Sequence, residues 1–283
     1  MRKHSEKFRG SEWSLRAATW AAAFTTLGTL AFLILFILIR GIPNLKTSLF
    51  ALEYNSENVS LLPPLIATAQ ITLYALLIAV PLGVFSAIYL AEYAKRGSRV
   101  VRLIRVTAET LSGIPSIVYG LFGWLFFVTA LHWGYSVLAG TFTLSIMILP
   151  LVLRASEEAL KAVPDTYREA SFGIGAGRLR TVFRVVLPGA TPGILAGVIL
   201  AVGRIVGETA ALIYTAGTVA QIPPNAMASA RTLSVHMYAL SNEGLYMKES
   251  YATAVVLLVL VAGINALSGS IAKRIGRNTS ERV

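Results

Sequence analysis

Long apolar runs separated by shorter polar segments set the pattern of the chain. Six runs come near or exceed the roughly 20 residues that a helix needs to cross a bilayer, and they occupy residues 17–39, 65–91, 106–131, 136–153, 190–213 and 251–271. The pattern predicts an all-α, polytopic membrane protein with six transmembrane helices. No repeat, low-complexity tract or long polar linker interrupts it, so we expect an N-terminal tail at 1–16 and one membrane domain at 17–283.

The composition agrees with a membrane protein and excludes several other classes. Hydrophobic residues make up 55% of the 283 positions and charged residues only 14%, whereas soluble domains have about a quarter charged. The net charge of +11 does not indicate nucleic acid binding, because the basic residues lie in short segments between apolar runs. Cysteine is absent, which excludes disulfides, thiolate catalysis and cysteine-ligated metals.

The distribution of basic residues predicts the orientation in the membrane. Of the 25 Lys and Arg residues, twenty lie in the N-terminal segment, residues 95–105, residues 154–188 and the C-terminal tail. The alternate segments hold four, and the last is Arg204. Because this excess marks the cytoplasmic side, we expect both termini in the cytoplasm. The first run is too long for a signal-peptide core and is followed by a poor cleavage site, which predicts an uncleaved signal anchor.

Helix-breaking residues occur inside several predicted spans. They are Pro81-Leu82-Gly83, Gly113-Ile114-Pro115-Ser116, Leu149-Pro150 and the glycines at 189, 193, 197, 203 and 207. Such residues are tolerated in a bilayer only where neighbours or water satisfy the freed backbone groups. A kinked bundle around a pathway and ordinary tight packing both provide that, and the residues alone leave both open.

The segment GRIVGETAAL, Gly203–Leu212, puts two opposite charges inside the fifth predicted span. On a continuous helix, Arg204 and Glu208 share a face with small residues. Each charge costs roughly 2.5–3.5 kcal/mol at mid-bilayer, and an exposed i,i+4 pair stabilises by only about 0.3–0.5 kcal/mol. Two interpretations stay open: an ion pair that fixes helix packing, or an anion pathway in which Glu208 orients the arginine.

Residues 154–188 form the longest predicted cytoplasmic segment. We expect a short helix at 166–174, with Thr166 and Glu169 spaced as a capping box. On spacing alone, Glu169 is therefore a capping residue. At the start of the third span, Glu109 is expected to pair with Arg105 one turn earlier. On the outside, the run from Ala228 to Leu240 is expected to form a helix at the outer surface.

The same segment contains a motif that resembles the EAA loop of ABC importer permeases. Glu169-Ala170-Ser171 is followed after three residues by Gly175 and after nine more by Val185-Val186-Leu187-Pro188. The spacing matches E-A-A, three residues, G, nine residues, I-x-L-P, with Ser171 and Val185 as mild departures. The resemblance implies that this loop docks on a cytoplasmic ATPase. The implied coupling residues are Glu169, Ala170, Ser171, Gly175, Leu187 and Pro188.

Further segments are similar to the PstA-type permeases of phosphate importers. They are Pro81-Leu82-Gly83, the runs 87–93 and 111–123, Gly207-Glu208-Thr209-Ala210-Ala211-Leu212 and residues 232–238. The resemblance implies the type I ABC importer (MetI-like) fold in a bacterial or archaeal cytoplasmic membrane, with a phosphate path at Arg204, Glu208 and Thr209. It also implies three partners: a homologous second permease (PstC-like), a dimer of ATPase subunits (PstB-like) and an extracytoplasmic phosphate-binding protein (PstS-like).

Catalytic functions find no support in the residues. The chain has no Gly-Lys dipeptide and so no phosphate-cradling loop of an ATPase, which assigns ATP hydrolysis to another subunit. His4, His132 and His236 are scattered, so neither a metal nor a cofactor is expected. The alternatives are a permease for another oxyanion, such as molybdate, tungstate or sulfate, and a secondary transporter without an ATPase.

Overall fold

The computed structural model describes residues 3–95 and 97–280, with side chains for most of 13–270, and every regular element within them is helical. The all-α prediction is confirmed. The α-helices are α1 (Lys3–Gly41), α2 (Leu62–Ile88), α3 (Arg99–Ser112), α4 (Ser116–Gly123), α5 (Val137–Ala162), α6 (Asp165–Gly173), α7 (Arg178–Thr181), α8 (Leu187–Val206), α9 (Ala210–Thr215), α10 (Leu233–Glu243) and α11 (Met247–Ser280). Three π-helical segments, Tyr89–Tyr93, Trp124–Ala130 and Val182–Val186, follow α2, α4 and α7.

Helix α5 is the centre of the bundle. It packs against α2 on one side and α8 on another, with α11 outside α8 and α1 at the periphery against α11. On α2 the core positions are alanines and an isoleucine at four-residue spacing, which bring its backbone close to Leu144, Ile148 and Val152 of α5. The helix continues through Pro150, so this proline does not end the fourth span.

The third predicted span is wrong as a continuous helix. Helix α3 and the segment Ser116–Ala130 are bent by 100° against each other. Gly113, Ile114 and Pro115 form the bend, because proline lacks an N–H and disfavours helical geometry in the residue before it. Among the described residues, five helices are each long and apolar enough to cross a membrane. Helix α3 and the segment Ser116–Ala130 make a sixth span only if the two together are counted as one crossing.

The fifth predicted span, 190–213, is also broken. Helix α8 passes through Pro192 but ends at Val206, and α9 begins at Ala210. Gly207 is the C-cap of α8, with its N–H bonded to the Gly203 carbonyl. Glycine is the weakest helix former after proline, so Gly207 favours an end of α8. The next residue, Glu208, accepts a hydrogen bond from the first turn of α9, so a new helix can begin there.

Helix α10 differs from its prediction as well. It begins at Leu233 rather than Ala228, and Leu233, Val235, His236 and Leu240 are all buried. It is therefore a packed part of the domain and not a helix lying free at the surface. Residues 226–230 instead form a turn and a bend, and their backbone groups bond to the start of α5 and the end of α9.

The side chains on the three faces of α3 predict how this helix is oriented relative to the membrane. Val101 and Ala108 are buried against the bundle, Leu103 and its apolar neighbours are exposed, and Arg102 is exposed on another side, about 100° around the helix from Leu103. If Ser116–Ala130 crosses the bilayer, a 100° bend places α3 along the membrane surface.

The absence of cysteine allows a direct test. Single spin labels at Leu103→Cys and Arg102→Cys, in the full chain in lipid nanodiscs, should report opposite environments. We expect the first label to be accessible mainly to oxygen and the second mainly to a water-soluble nickel reagent. Equal access of the nickel reagent to both labels would show that α3 leaves the membrane surface.

Candidate functional site

Arg204 lies in the last turn of α8 and its side chain is exposed. It shares an outward stripe with Ala196, Leu200 and Gly207, all exposed in the single chain. Within the part of the chain that the structure describes, no acidic side chain lies within ion-pair distance of its guanidinium. A charge in a membrane-spanning segment needs water, an anion or another chain beside it, because lipid does not solvate it.

Glu208 has a different role from the one expected. It is 9% exposed, and its Oε1 accepts a hydrogen bond from the Ala211 N–H at 3.1 Å, which caps the first turn of α9. Its own N–H bonds to the Ile205 carbonyl at 3.0 Å. The expectation that Arg204 and Glu208 face each other on one helix is wrong, because the helix ends between them. Thr209, the third predicted path residue, is the half-buried N-cap of α9.

The bend between α3 and α4 lies close to Arg204. Tyr119 of α4 is 4% exposed and its hydroxyl donates to the Leu111 carbonyl of α3 at 2.8 Å. The same phenol lies within electrostatic range of Arg204. At the next residue, a methyl group on Gly120 would lie 2.8 Å from Cα of Ala211, so α4 and α9 touch backbone to backbone. The two broken helices therefore meet beside the exposed arginine.

Helix α10 covers the same break from the other side. The Ser234 hydroxyl donates to the Glu208 carbonyl at 2.6 Å. The Leu233 N–H donates to the Thr68 hydroxyl of α2 at 2.8 Å. The start of α10 is thus bonded to both the α8–α9 break and α2.

A buried basic pair lies next to this contact. Arg231 is 5% exposed and its guanidinium lies 5.1 Å from the centre of the Tyr54 ring. His236 is fully buried, with its ring edge-on to the same tyrosine. Burial, followed by the charge of Arg231, lowers the pKa of His236 to about 3. The imidazole is therefore neutral at physiological pH.

The predicted coupling loop forms a helix, a turn and a second short helix. Glu169 and Ala170 are exposed on α6, and the Ser171 hydroxyl is buried 2.8 Å from that of Thr181 on α7. Gly175 makes the turn at φ +86°, a conformation that favours glycine. Leu187 packs in the cluster around Val186 and Ala190, and Pro188 is exposed in the first turn of α8.

The capping box predicted for this loop is wrong. Helix α6 starts one residue earlier than expected, so Pro164 occupies the N-cap and no side chain caps the helix. The Glu169 carboxylate then lies in the middle of α6 without a backbone group to bond. Local capping therefore does not account for Glu169 in the part of the chain that the structure describes.

Arg168, next to Glu169, is the most highly bonded side chain of the loop, and no pattern in the sequence pointed to it. Its Nε and Nη2 donate to the Glu92 carboxylate, with the shortest distance 2.7 Å. The hydrogen bond to Glu92 outweighs burial and raises the pKa of Arg168 above its ordinary value. The partners are 76 positions apart, so neither periodicity nor spacing could reveal the pair.

The expected pair of Glu109 with Arg105 is also wrong. Arg105 reaches instead to Glu157 of α5 at 2.6 Å, where Lys161 also binds at 2.6 Å. Glu109 lies 3.9 Å from Arg154 in an exposed pair. Both contacts hold α3 against α5, which a local spacing rule cannot predict once the chain bends.

These features define a class of protein. Two helices are broken inside a bundle beside an exposed cation, and a separate helix with a free acidic residue projects from one end. No group of three or more possible metal ligands occurs among the described residues. Helices that are broken at membrane depth line the substrate sites of many membrane transporters.

Comparison with known proteins gives the family. The model of the family described as binding-protein-dependent transport system inner membrane component matches residues 79–281. The chain belongs to this family and is therefore a permease subunit of an ABC importer, a membrane component of a family that works with an ATPase and a substrate-binding protein.

The relatives include both general and specific permeases. A probable ABC transporter permease protein, YqgI of Bacillus subtilis, is 34% identical over 259 residues, with 86% of each chain covered. Phosphate transport system permease protein PstA 2 of Mycobacterium bovis is 36% identical, covering 71% of this chain and 67% of its own length. The PstA protein of Pasteurella multocida is 36% identical and covers 70% and 71%.

Solved structures confirm the fold. The MetNI methionine transporter in an inward-facing conformation gives a TM-score of 0.59 at 19% identity, over 86% of this chain and 97% of that one. A bacterial alginate ABC transporter gives 0.69 at 15% identity, over 95% and 97%. The predicted type I ABC importer fold is therefore confirmed.

The buried imidazole predicts a loss of stability in mild acid. The folded state holds the pKa of His236 at about 3, and the unfolded chain titrates near 6.5. As the pH falls below about 6.5, the unfolded state takes up the proton first, so stability decreases. The loss at pH 5 is about 2 kcal/mol, and it grows until the pH approaches the folded value.

We expect His236→Phe, which keeps the ring but cannot titrate, to show a smaller fall in Tm between pH 7.5 and pH 5 than the unchanged protein in the same detergent. His132→Gln is the matched control, since that side chain is exposed and loses little hydration on folding. An identical fall in the Phe variant would contradict the assignment.

Proposed function

We propose that this chain is a permease subunit that imports inorganic phosphate. It would form half of the path, with a homologous second permease as the other half. An extracytoplasmic phosphate-binding protein would deliver the anion and a dimer of cytoplasmic ATPase subunits would drive the cycle. The observation that carries the proposal is the exposed, acid-free guanidinium of Arg204 at a helix break, in a chain whose relatives include phosphate permeases.

The position of Arg204 supports a role in the path. Its stripe on α8 is uncovered in the single chain, and the small residues Ala196 and Gly207 within it allow close approach of a second chain. The guanidinium offers a planar fork of donors that suits phosphate oxygens. Glu208 is occupied by its bond to the α9 backbone, so it does not neutralise the arginine through an ion pair.

The coupling loop supports the use of an external ATPase. Apolar side chains are exposed along it, namely Tyr167, Phe172, Ile174 and Leu179, and Glu169 lies among them without a local partner. An exposed apolar patch with one free acid, outside the spanning segments, is typical of a docking surface. In the proposed cycle the ATPase subunits close on ATP, move α6 and so switch the bundle between outward-open and inward-open states.

The anion path is tested by Arg204→Gln. We expect phosphate uptake to fall about 10- to 100-fold in vesicles containing the assembled importer, the effect of losing one charge-assisted hydrogen bond of about 1.5–3 kcal/mol. Arg40→Gln, at an exposed arginine ending α1, is the control and should transport normally. Normal uptake by Arg204→Gln would remove this residue from the path.

Competition identifies the anion in the same assay. Phosphate uptake should resist a large excess of sulfate, molybdate or tungstate. Transport of one of these in preference to phosphate would assign the chain to the other oxyanion. Uptake by the chain without any ATPase would indicate a secondary transporter.

The coupling role is tested by Glu169→Lys. Reversal of the charge on the proposed docking surface should lower uptake per ATP hydrolysed by about tenfold while the complex still assembles. Glu158→Lys, at an exposed glutamate of α5, is the matched control. Because Glu169 caps no helix, unchanged stability with unchanged uptake would exclude it from the mechanism.

A further inference from the structure

Arg168 is bonded at every donor of its guanidinium. Its Nε donates to the Glu92 carboxylate. Its Nη2 donates both to that carboxylate and to the Leu160 carbonyl, the latter at 2.9 Å. Nη1 donates to the Val163 carbonyl at 2.6 Å and to the Asp165 carboxylate at 3.1 Å. A guanidinium has five N–H groups, and all five have acceptors here. We name Arg168, Glu92 and these acceptors the Arg168 clamp.

The clamp joins three parts of the chain. Arg168 and Asp165 belong to α6, and the two carbonyls belong to the end of α5 and the residue after it. Glu92 belongs to the π-helical segment that ends α2, and it is 8% exposed. A planar fork that holds a carboxylate with two donors fixes orientation as well as distance. Helix α6 is therefore held to α2 at a fixed angle and not merely near it.

Helix α2 leads from the clamp to the other end of the bundle. Its 27 residues correspond to about 40 Å at 1.5 Å per residue. Near its start, Thr68 accepts the hydrogen bond from the Leu233 N–H of α10, and the next residue, Ser234, bonds to the Glu208 carbonyl. One continuous helix thus connects α6 to the element that holds the break beside Arg204.

We propose that the Arg168 clamp makes α6 and α2 move as one body, so that a movement imposed on α6 reaches the α8–α9 break through α2 and α10. Arg168 and Glu92 are then positioning residues for transport. This inference rests on the proposed coupling role of α6. It does not depend on which anion is carried.

A clamp that only supports the fold predicts a different result from one that transmits movement. Breaking a buried pair destabilises a protein in either case, because one charge is left without its partner. Only transmission requires that uptake per ATP hydrolysed falls in complexes that still assemble. Restoring the pair with its charges exchanged should then recover that ratio.

The first experiment measures this ratio in vesicles with the assembled importer. We expect Glu92→Gln and Arg168→Gln each to lower uptake per ATP about tenfold, and the double variant Glu92→Arg with Arg168→Glu to recover at least part of the loss. The matched control removes the exposed ion pair at the same end of the bundle with Arg154→Gln and should leave the ratio unchanged. A lower Tm with an unchanged ratio in both single variants would overturn the proposal.

The second experiment needs no transport. Spin labels at Tyr167→Cys on α6 and Tyr89→Cys at the end of α2, both exposed, report the distance between the two helices in the whole complex. We expect the same narrow distance without nucleotide and in the state trapped with ATP and vanadate, and a broad one in Glu92→Gln. A distance that changes between the two states of the unmodified complex would show that the clamp opens and would overturn the proposal.

The two experiments separate the two hypotheses. If the unmodified complex does not transport phosphate but the label distance stays fixed through the ATP cycle, the phosphate assignment fails and the clamp stands. If phosphate is transported but the distance changes, the clamp fails and the proposed function stands.

Discussion

The bilayer requires that every backbone N–H and C=O inside it has a partner, and the structure depends on how two broken helices meet that requirement. At the first break, the Tyr119 hydroxyl bonds to the Leu111 carbonyl at the end of α3. At the second break, between α8 and α9, the Glu208 carboxylate accepts a hydrogen bond from the Ala211 N–H, and the Ser234 hydroxyl donates one to the Glu208 carbonyl. The breaks are stable because polar side chains replace the missing helical bonds. The same side chains bring α4, α9 and α10 together around Arg204.

The helical class and most of the spans could be predicted from the sequence, because apolar length is a local signal. Helix-breaking residues alone did not locate the breaks, since α2 and α5 continue through Pro81 and Pro150 whereas the chain bends at Pro115. Gly113-Ile114-Pro115 and Gly207 lie where the helices bend or end. The direction of side chains beyond a break could not be predicted. Arg204 and Glu208 would lie on one face only if the α-helix, with its 3.6 residues per turn, continued through Gly207. Because α8 ends before Gly207, helical periodicity does not predict where Glu208 points relative to Arg204.

Part of the candidate site could also be predicted from the sequence, again because the signals were local. The EAA-like spacing located the projecting loop, and a charge within an apolar run located Arg204. The contacts that hold the loop were not recoverable, since Arg168 and Glu92 lie on elements separated by three other helices in the chain. Fold similarity to methionine and alginate transporters shows that one scaffold serves different substrates, so the scaffold alone does not assign the substrate of this chain.

The bond from Glu208 to the α9 backbone affects how substitutions in this segment should be interpreted genetically. Glu208 is both acidic and bonded to the backbone of α9. A substitution there removes the charge and the backbone hydrogen bond together, so a loss of transport would not show which of the two matters. Arg204 bonds to no backbone group among the described residues, so its substitution leaves the local helix ends intact. Under the proposed function, changes at Arg204 report on the passage of the anion, whereas changes at Glu208 report first on the geometry of the break.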